Sequence, residues 1–198
     1  MAKKIPQIIL ASTSPRRKQV LSLTGLKFKI VSPDYEEDMT LKLAPRKLAA
    51  HLSMGKAESV ATKNKNAIII AADTFLVYGK KVLGKPKDKK DAVAMLRMLS
   101  GKKHSILTGI ALLWPVKRKR YSAVVETKVL FKRLTPKTIH GYLSTAHWQD
   151  KAGSYAVQEL GGIFISKIEG EFSNVVGLPL GALIAGLKNF GIDIFNKR

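Results

Sequence analysis

Six charged side chains and one amide stand where their types suit work on a phosphate: Arg16, Arg17, Glu37, Lys56, Asp73, Lys85 and Gln158. Arg16 and Arg17 fall in the first turn of a predicted helix, directly after Ser12-Thr13-Ser14-Pro15. Ser14 suits the N-cap and Pro15 the first helical position, where a missing N–H costs least. Guanidinium groups are a poor choice there for helix stability, because the macrodipole at that end favours anions. The turn therefore reads as a phosphate site, with two solvated arginines as the plain alternative. Lys56 is the second anomaly. In the helix predicted over residues 45–63 it falls between Leu52 and Val60 and beside Ala49, inside the apolar arc. A charge in that place is costly unless it is paired or its head escapes along its own stem, so Lys56 is either a cleft cation or a snorkelling surface lysine.

Asp73 directly follows the apolar run Ala67–Ala72. Ligands of open α/β sheets gather at the carboxyl ends of strands, so Asp73 and the Ser12–Arg17 turn are expected to face one crevice. Gly79–Lys85 satisfies the spacing GxxxxGK, but Pro86 stands where a phosphate loop needs a hydroxyl, and the flanks read as a hairpin. A Walker loop is rejected, while Lys85 stays a point charge for a phosphate. Asp34, Glu36, Glu37 and Asp38 place four of the fourteen acids in one loop, either a divalent-cation or charge-balancing element or solvated surface. Gln158 can donate and accept at once, which suits the edge of a base, although a backbone partner satisfies it equally. Cations for developing charge, a carboxylate to orient or deprotonate water, and usually a bridging Mg²⁺ or Mn²⁺ are the needs of phosphoryl transfer. GxSxG, HExxH and cysteine are absent, and the four histidines show no close ligand spacing, which weakens ordinary hydrolase and zinc readings.

The elements that must carry these groups follow from hydrophobic period. Residues 8–10 and 67–72 are apolar runs of the kind buried on both faces of a sheet, and 28–30 alternates as a half-buried strand. Helices are predicted over 16–23, 45–63, 89–99, from Pro136 and from Leu180, the third capped by Asp88 with Ala92, Met95, Leu96 and Leu99 as its core stripe. Strands are predicted over 104–114, 121–131 and 163–165, and the cation tetrad Lys117–Arg120 at a turn reads as solvated. With 198 residues, 45% of them hydrophobic, and no internal repeat or composition shift, the chain reads as a single domain over 1–198. No apolar run approaches the roughly 20 residues of a membrane span, and Lys3 and Lys4 are followed by no signal-peptide apolar region. The expectation is a cytoplasmic protein with no membrane partner.

Taken together, Leu10-Ala11-Ser12-Thr13-Ser14-Pro15-Arg16-Arg17, Ala72-Asp73-Thr74, Leu83-Gly84-Lys85-Pro86, Leu99-Ser100-Gly101-Lys102-Lys103-His104, Asp150-Lys151-Ala152-Gly153-Ser154-Tyr155 and Val176-Gly177-Leu178-Pro179 resemble the Maf family of nucleoside triphosphate pyrophosphatases. The resemblance runs in order over nearly the whole chain. It implies an α/β fold of Maf/ITPase type, a central mixed β-sheet flanked by helices with two lobes about an active-site cleft, and a homodimer. It implies hydrolysis of a nucleoside triphosphate to the monophosphate and pyrophosphate with Mg²⁺ or Mn²⁺. Under it, Asp73 is the general base, Ser12, Arg17, Lys56 and Lys85 hold phosphates, and Glu37 helps to organise the metal. Arg16, Thr74 and Gln158 resemble the branch that acts on dTTP and UTP, including modified pyrimidine nucleotides. Glu159 departs from the family pattern, in which a glycine usually follows the glutamine.

The charge supports a rival. With 35 Lys and Arg against 14 Asp and Glu, the formal net charge is +21, and a basic nucleic-acid-binding protein on a nucleotide fold, without pyrophosphatase activity, meets that number as well. Asp73 beside the cations is what only the enzyme needs.

Overall fold

The apolar runs become strands of one mixed sheet. In the computed structural model, which describes residues 6–195 and so leaves Lys3 and Lys4 outside, the strands are β1 (Ile8–Leu10), β2 (Phe28–Ile30), β3 (Ile68–Tyr78), β4 (Lys81–Leu83), β5 (Lys103–Trp114), β6 (Lys119–Phe131) and β7 (Ile165–Glu169). They run in the order β2-β1-β3-β5-β6-β7, with β4 paired to β3. The helices are α1 (Pro15–Ser22), α2 (Pro45–Ala61), α3 (Lys89–Leu99), α4 (Pro136–Leu143), α5 (Phe172–Val176) and α6 (Leu180–Asn189). No helix among the described residues is long and apolar enough to cross a membrane.

The chain forms two compact units, one made of the residues up to Asp73, Thr108–Val125 and those from Gly177 onward, the other of Thr74–Leu107 and Glu126–Val176. In the first, β1 pairs in parallel with both β2 and β3, Ile8 standing opposite Phe28 and Ile68. Ile9, Ala11, Ile69 and Ala71 pack with Ala57 and Val60 of α2 and with Ala111 and Leu113 of β5. Gly109 permits the close approach of α2, since a Cβ there would stand 1.9 Å from the Ala49 carbonyl oxygen. Ser14 caps α1, accepting from the Arg17 N–H at 3.5 Å. The α6 helix stops at Gly191, whose φ of 80° is the left-handed conformation glycine favours, with the Ile192 N–H returning to the Leu187 carbonyl at 2.9 Å.

In the second unit, Ala92, Leu96 and Leu99 of α3 and Ile139, Tyr142 and Leu143 of α4 enclose Leu76, Phe131, Tyr155 and Phe164. Asp88 caps α3 as expected, accepting from the Asp91 N–H at 2.7 Å, and Thr135 caps α4, accepting from the Thr138 N–H at 3.1 Å.

The structure corrects four expectations. The predicted strand over 163–165 is mostly a 3₁₀ turn, Leu160–Phe164, and β7 begins at Ile165. Gly161 and Gly162 fold back on the preceding loop so tightly that Cβ atoms would stand 2.9 Å from the Tyr155 Cβ and 2.6 Å from the Val157 carbonyl oxygen, leaving no room for an extended entry. Strand β3 does not stop before Asp73 but runs through it; what stops is its neighbour β1, whose last pair is Leu10 with Ile70. Ile30 is exposed because β2 lies at the sheet edge. Helix α2 ends at Ala61, where its last turn gives way to the Thr62–Asn66 loop.

Candidate functional site

Local rules place each group of the first unit. Ser12 follows β1, and its buried Oγ accepts from the Ser14 N–H at 3.2 Å and from Arg17 Nη1 at 3.2 Å. Arg17 Nε donates to the Gly177 carbonyl at 3.0 Å, so two contacts fix the plane of the guanidinium. Burial lowers the Arg17 pKa from its ordinary value, Asp73 and Glu37 oppose that shift, and Arg16 adds to it. The group remains a cation held within electrostatic reach of both carboxylates.

Lys56 sits in the buried stripe of α2 with Leu48, Ala49, Leu52, Ser53, Ala57 and Val60, and it does not snorkel. Its side chain is 7% exposed, and its Nζ donates to Asp73 Oδ1 and lies 2.7 Å from Glu37 Oε1. Asp73 is equally enclosed, at 6%, whereas Glu37 is 47% exposed and joins the buried pair to water. A buried ion pair of this kind survives only with such partners, since either ion alone would be strongly destabilising. The acidic loop is thus divided: Glu37 turns to Lys56, while Asp38 stays on the surface and accepts from the backbone and hydroxyl of Thr40 at 2.8 and 2.6 Å, which holds its pKa below the ordinary value.

Tyr35 carried no sequence signal and belongs to this group. Its ring lies where Gly55 has no side chain; a Cβ on Gly55 would stand 2.2 and 2.4 Å from Cε2 and Cζ. Burial raises the Tyr35 pKa, and the carboxylates of Asp73, Glu37, Asp38 and Glu58 raise it further. The available clue was Gly55 itself, since glycine inside a helix costs up to about 1 kcal/mol relative to alanine unless something uses the space. The Gly177 carbonyl was likewise missed, because a backbone acceptor leaves no mark on residue type.

Ser12, Arg17, Glu37, Lys56 and Asp73 are therefore one connected group within the first unit, and half-buried Arg16 lies next to Arg17 in α1. Thr74, Lys85 and Gln158 belong to the second unit. There Thr74 is half-buried in β3, Lys85 is exposed and 3.7 Å from Asp150, and Gln158 is exposed in its loop. Glu159 is engaged with Lys151 at 3.1 Å and with His147 at 3.2 Å. Among the described residues no three His, Asp or Glu side chains converge as a metal cage. Two carboxylate oxygens do converge on the single Lys56 ammonium, and a hard divalent ion needs only one or two such donors when substrate phosphates supply the rest.

Comparison with known proteins adds an independent line. A family model described as Maf-like protein matches residues 7–190. The dTTP/UTP pyrophosphatase of Bacillus anthracis is 41% identical over 188 residues, 95% of this chain and 97% of its own length. That of Geobacillus sp. (strain WCH70) is 43% identical over 185 residues, 93% and 98% of the two chains. Among solved structures, the Staphylococcus aureus Ham1 protein aligns with a TM-score of 0.52 at 16% identity, covering 93% of this chain and 99% of its own, a likeness of fold alone.

Proposed function

The chain belongs to the Maf-like protein family, and we propose that it hydrolyses nucleoside triphosphates, dTTP and UTP foremost, to the monophosphate and pyrophosphate. The observation that carries the reading is the Lys56 ammonium held between Asp73 and Glu37, with the fixed Arg17 guanidinium in reach of both carboxylates. In this reading water attacks the α-phosphorus, the bridging bond from α-phosphorus to oxygen breaks, and pyrophosphate leaves. Asp73 accepts the proton of the attacking water as general base. Lys56 orients that carboxylate and, with Arg17 and Ser12, binds phosphate oxygens as negative charge develops on them. Lys85 is a further phosphate-directed cation. Arg16, Thr74 and Gln158 select the base, and modified pyrimidine nucleotides fall within their range.

A divalent cation, Mg²⁺ or Mn²⁺, fits the donors, and Glu37 would hold it with Asp73 beside it; bound there, it would neutralise charge on the phosphates. The reading takes the protein as one functional domain over the whole chain, cytoplasmic, where free nucleotides are, and homodimeric.

The purified chain with Mg²⁺ or Mn²⁺ is expected to release pyrophosphate, not orthophosphate, from dTTP and UTP, and Asp73→Asn to slow release by about 10²- to 10⁴-fold, the range of general-base catalysis. No pyrophosphate from any normal or modified triphosphate would sink the reading. Arg17→Ala should depress turnover on every substrate, whereas Arg16→Trp should change the ratio of rates between bases. Equal losses from both variants across all bases would remove the selectivity role.

A further inference from the structure

The charges of the first unit are sorted by strand direction. Strands β1, β2 and β3 run parallel, so their carboxyl ends share one side. Ser12 follows β1 on that side, the acidic segment Asp34–Asp38 follows β2, and Asp73 lies beyond the last β1–β3 pair. Of this unit's acids, only Glu58 and Asp193 stand elsewhere.

The amino ends of the same strands form the opposite side, where the Ile68 N–H donates to the Gln7 carbonyl. The Lys65 carbonyl accepts there from the Val116 N–H at 3.0 Å, which brings in the turn between β5 and β6. Lys119 Nζ donates to the Asn189 carbonyl at 3.0 Å, which brings in the end of α6. Lys63, Lys65, Lys117, Arg118, Lys119 and Lys188 are thereby gathered at one end, all exposed. Glu58 is already paired with Arg120 at 2.7 Å. Such a concentration of one sign works against folding through self-repulsion, and an anion laid across it relieves that cost.

We propose that this end of the unit binds the phosphate backbone of a nucleic-acid duplex, at a surface separate from the candidate hydrolytic group. The aromatic side chains that flank this turn and the end of α6, Trp114 and Phe190, are packed on one another at 6.4 Å, the first half-buried and the second buried, so the spread cations suit phosphates rather than stacked single-stranded bases, and contact of this kind is independent of sequence. A lipid surface is the weaker match, because the turn at the centre of the cluster exposes one apolar side chain, Val116, where interfacial anchoring needs an apolar face. Binding at this end would hold triphosphate hydrolysis beside the polymer that triphosphates build.

The test is titration of a labelled random-sequence DNA duplex, about 20 base pairs long, with the full chain over a range of sodium chloride concentrations, with thermal melting as the control for folding. Tight binding with a steep negative dependence on log salt is expected. Lys63→Gln, Lys65→Gln, Lys117→Gln and Lys188→Gln combined should reduce the log–log slope by about 3 to 4 and weaken binding at least about tenfold at low salt, with the melting transition kept. Asp73→Asn should leave duplex binding unchanged, so this result stands apart from the fate of the hydrolytic reading. An unchanged slope in the fourfold variant overturns the proposal. So does complete competition by saturating nucleoside triphosphate, or binding to phosphatidylserine vesicles in place of duplex.

Discussion

Both units bury polar groups, and they treat them in opposite ways. In the first, Lys56 and Asp73 are enclosed as an ion pair, and Glu37 reaches them from the surface. In the second, His104 and Tyr155 are enclosed as neutral rings, joined by a 2.7 Å hydrogen bond and set edge-on against Phe131 at 4.9 and 4.7 Å. Burial pushes the His104 imidazole down to about 4, opposed by the nearby Lys102 backbone, and raises the Tyr155 phenol. The contrast separates two uses of interior polarity. A hydrogen-bonded neutral pair settles aromatic packing, whereas an enclosed ion pair with one arm in water is expensive for stability and suited to chemistry on a charged ligand.

The strongest way to break the contrast is Lys56→Met, which leaves two carboxylates facing each other, one of them buried. A loss of about 3–5 kcal/mol in denaturant unfolding is expected. A loss near zero would mean that the Asp73 charge is hydrated, and the two units would no longer differ in kind.

The second test is pH. The His104 pKa in the folded chain lies below its ordinary 6.5, so the unfolded chain takes up the proton first and stability falls as pH drops from about 6.5 to about 4. The full contribution is about 3 kcal/mol, from the one-unit equivalence of 1.36 kcal/mol. His104→Gln keeps a partner for the Tyr155 hydroxyl without titrating, so its stability should decline less over that window. A decline identical to that of the parent chain would show that His104 is not the neutral partner described.

The smallest effect on stability is expected from Gly55→Ala. The new Cβ meets the far end of the Tyr35 side chain, which can swing away, so unfolding should change by no more than about 1 kcal/mol. Triphosphate hydrolysis should nevertheless fall about tenfold, because the Tyr35–Glu37 segment loses its seat beside Lys56. Unchanged hydrolysis would show that Glu37 keeps its place without the ring.

Much of this was legible in residue order. Caps at Ser14 and Asp88, the core stripe of α3 and the start of α4 at Pro136 were readable because each depends on neighbours within a few residues. The turn at Leu160–Phe164 and helix α5 were not, since distant contacts decide them: the glycines pressed on Tyr155 and Val157, and Asn174 bonded to the Ile106 carbonyl at 3.1 Å and to Thr127 Oγ1 at 3.0 Å. Among the site residues, Lys56 could be flagged as a charge in an apolar arc, but periodicity says nothing about what stands opposite it.

Residue order alone specified the helix that starts at Ser14 with two arginines in its first turn, the carboxylate at the far end of an apolar strand run, and the family to which the chain belongs. These are local patterns or ordered motifs. The tertiary structure decided that Lys56 is paired rather than snorkelled, that one acid of a four-acid loop is its partner, and that Arg17 is pinned by a carbonyl 160 residues away. Those outcomes depend on which strand ends meet and how closely α2 approaches the sheet at Gly109, and spatial proximity between distant residues is not written in the spacing of either.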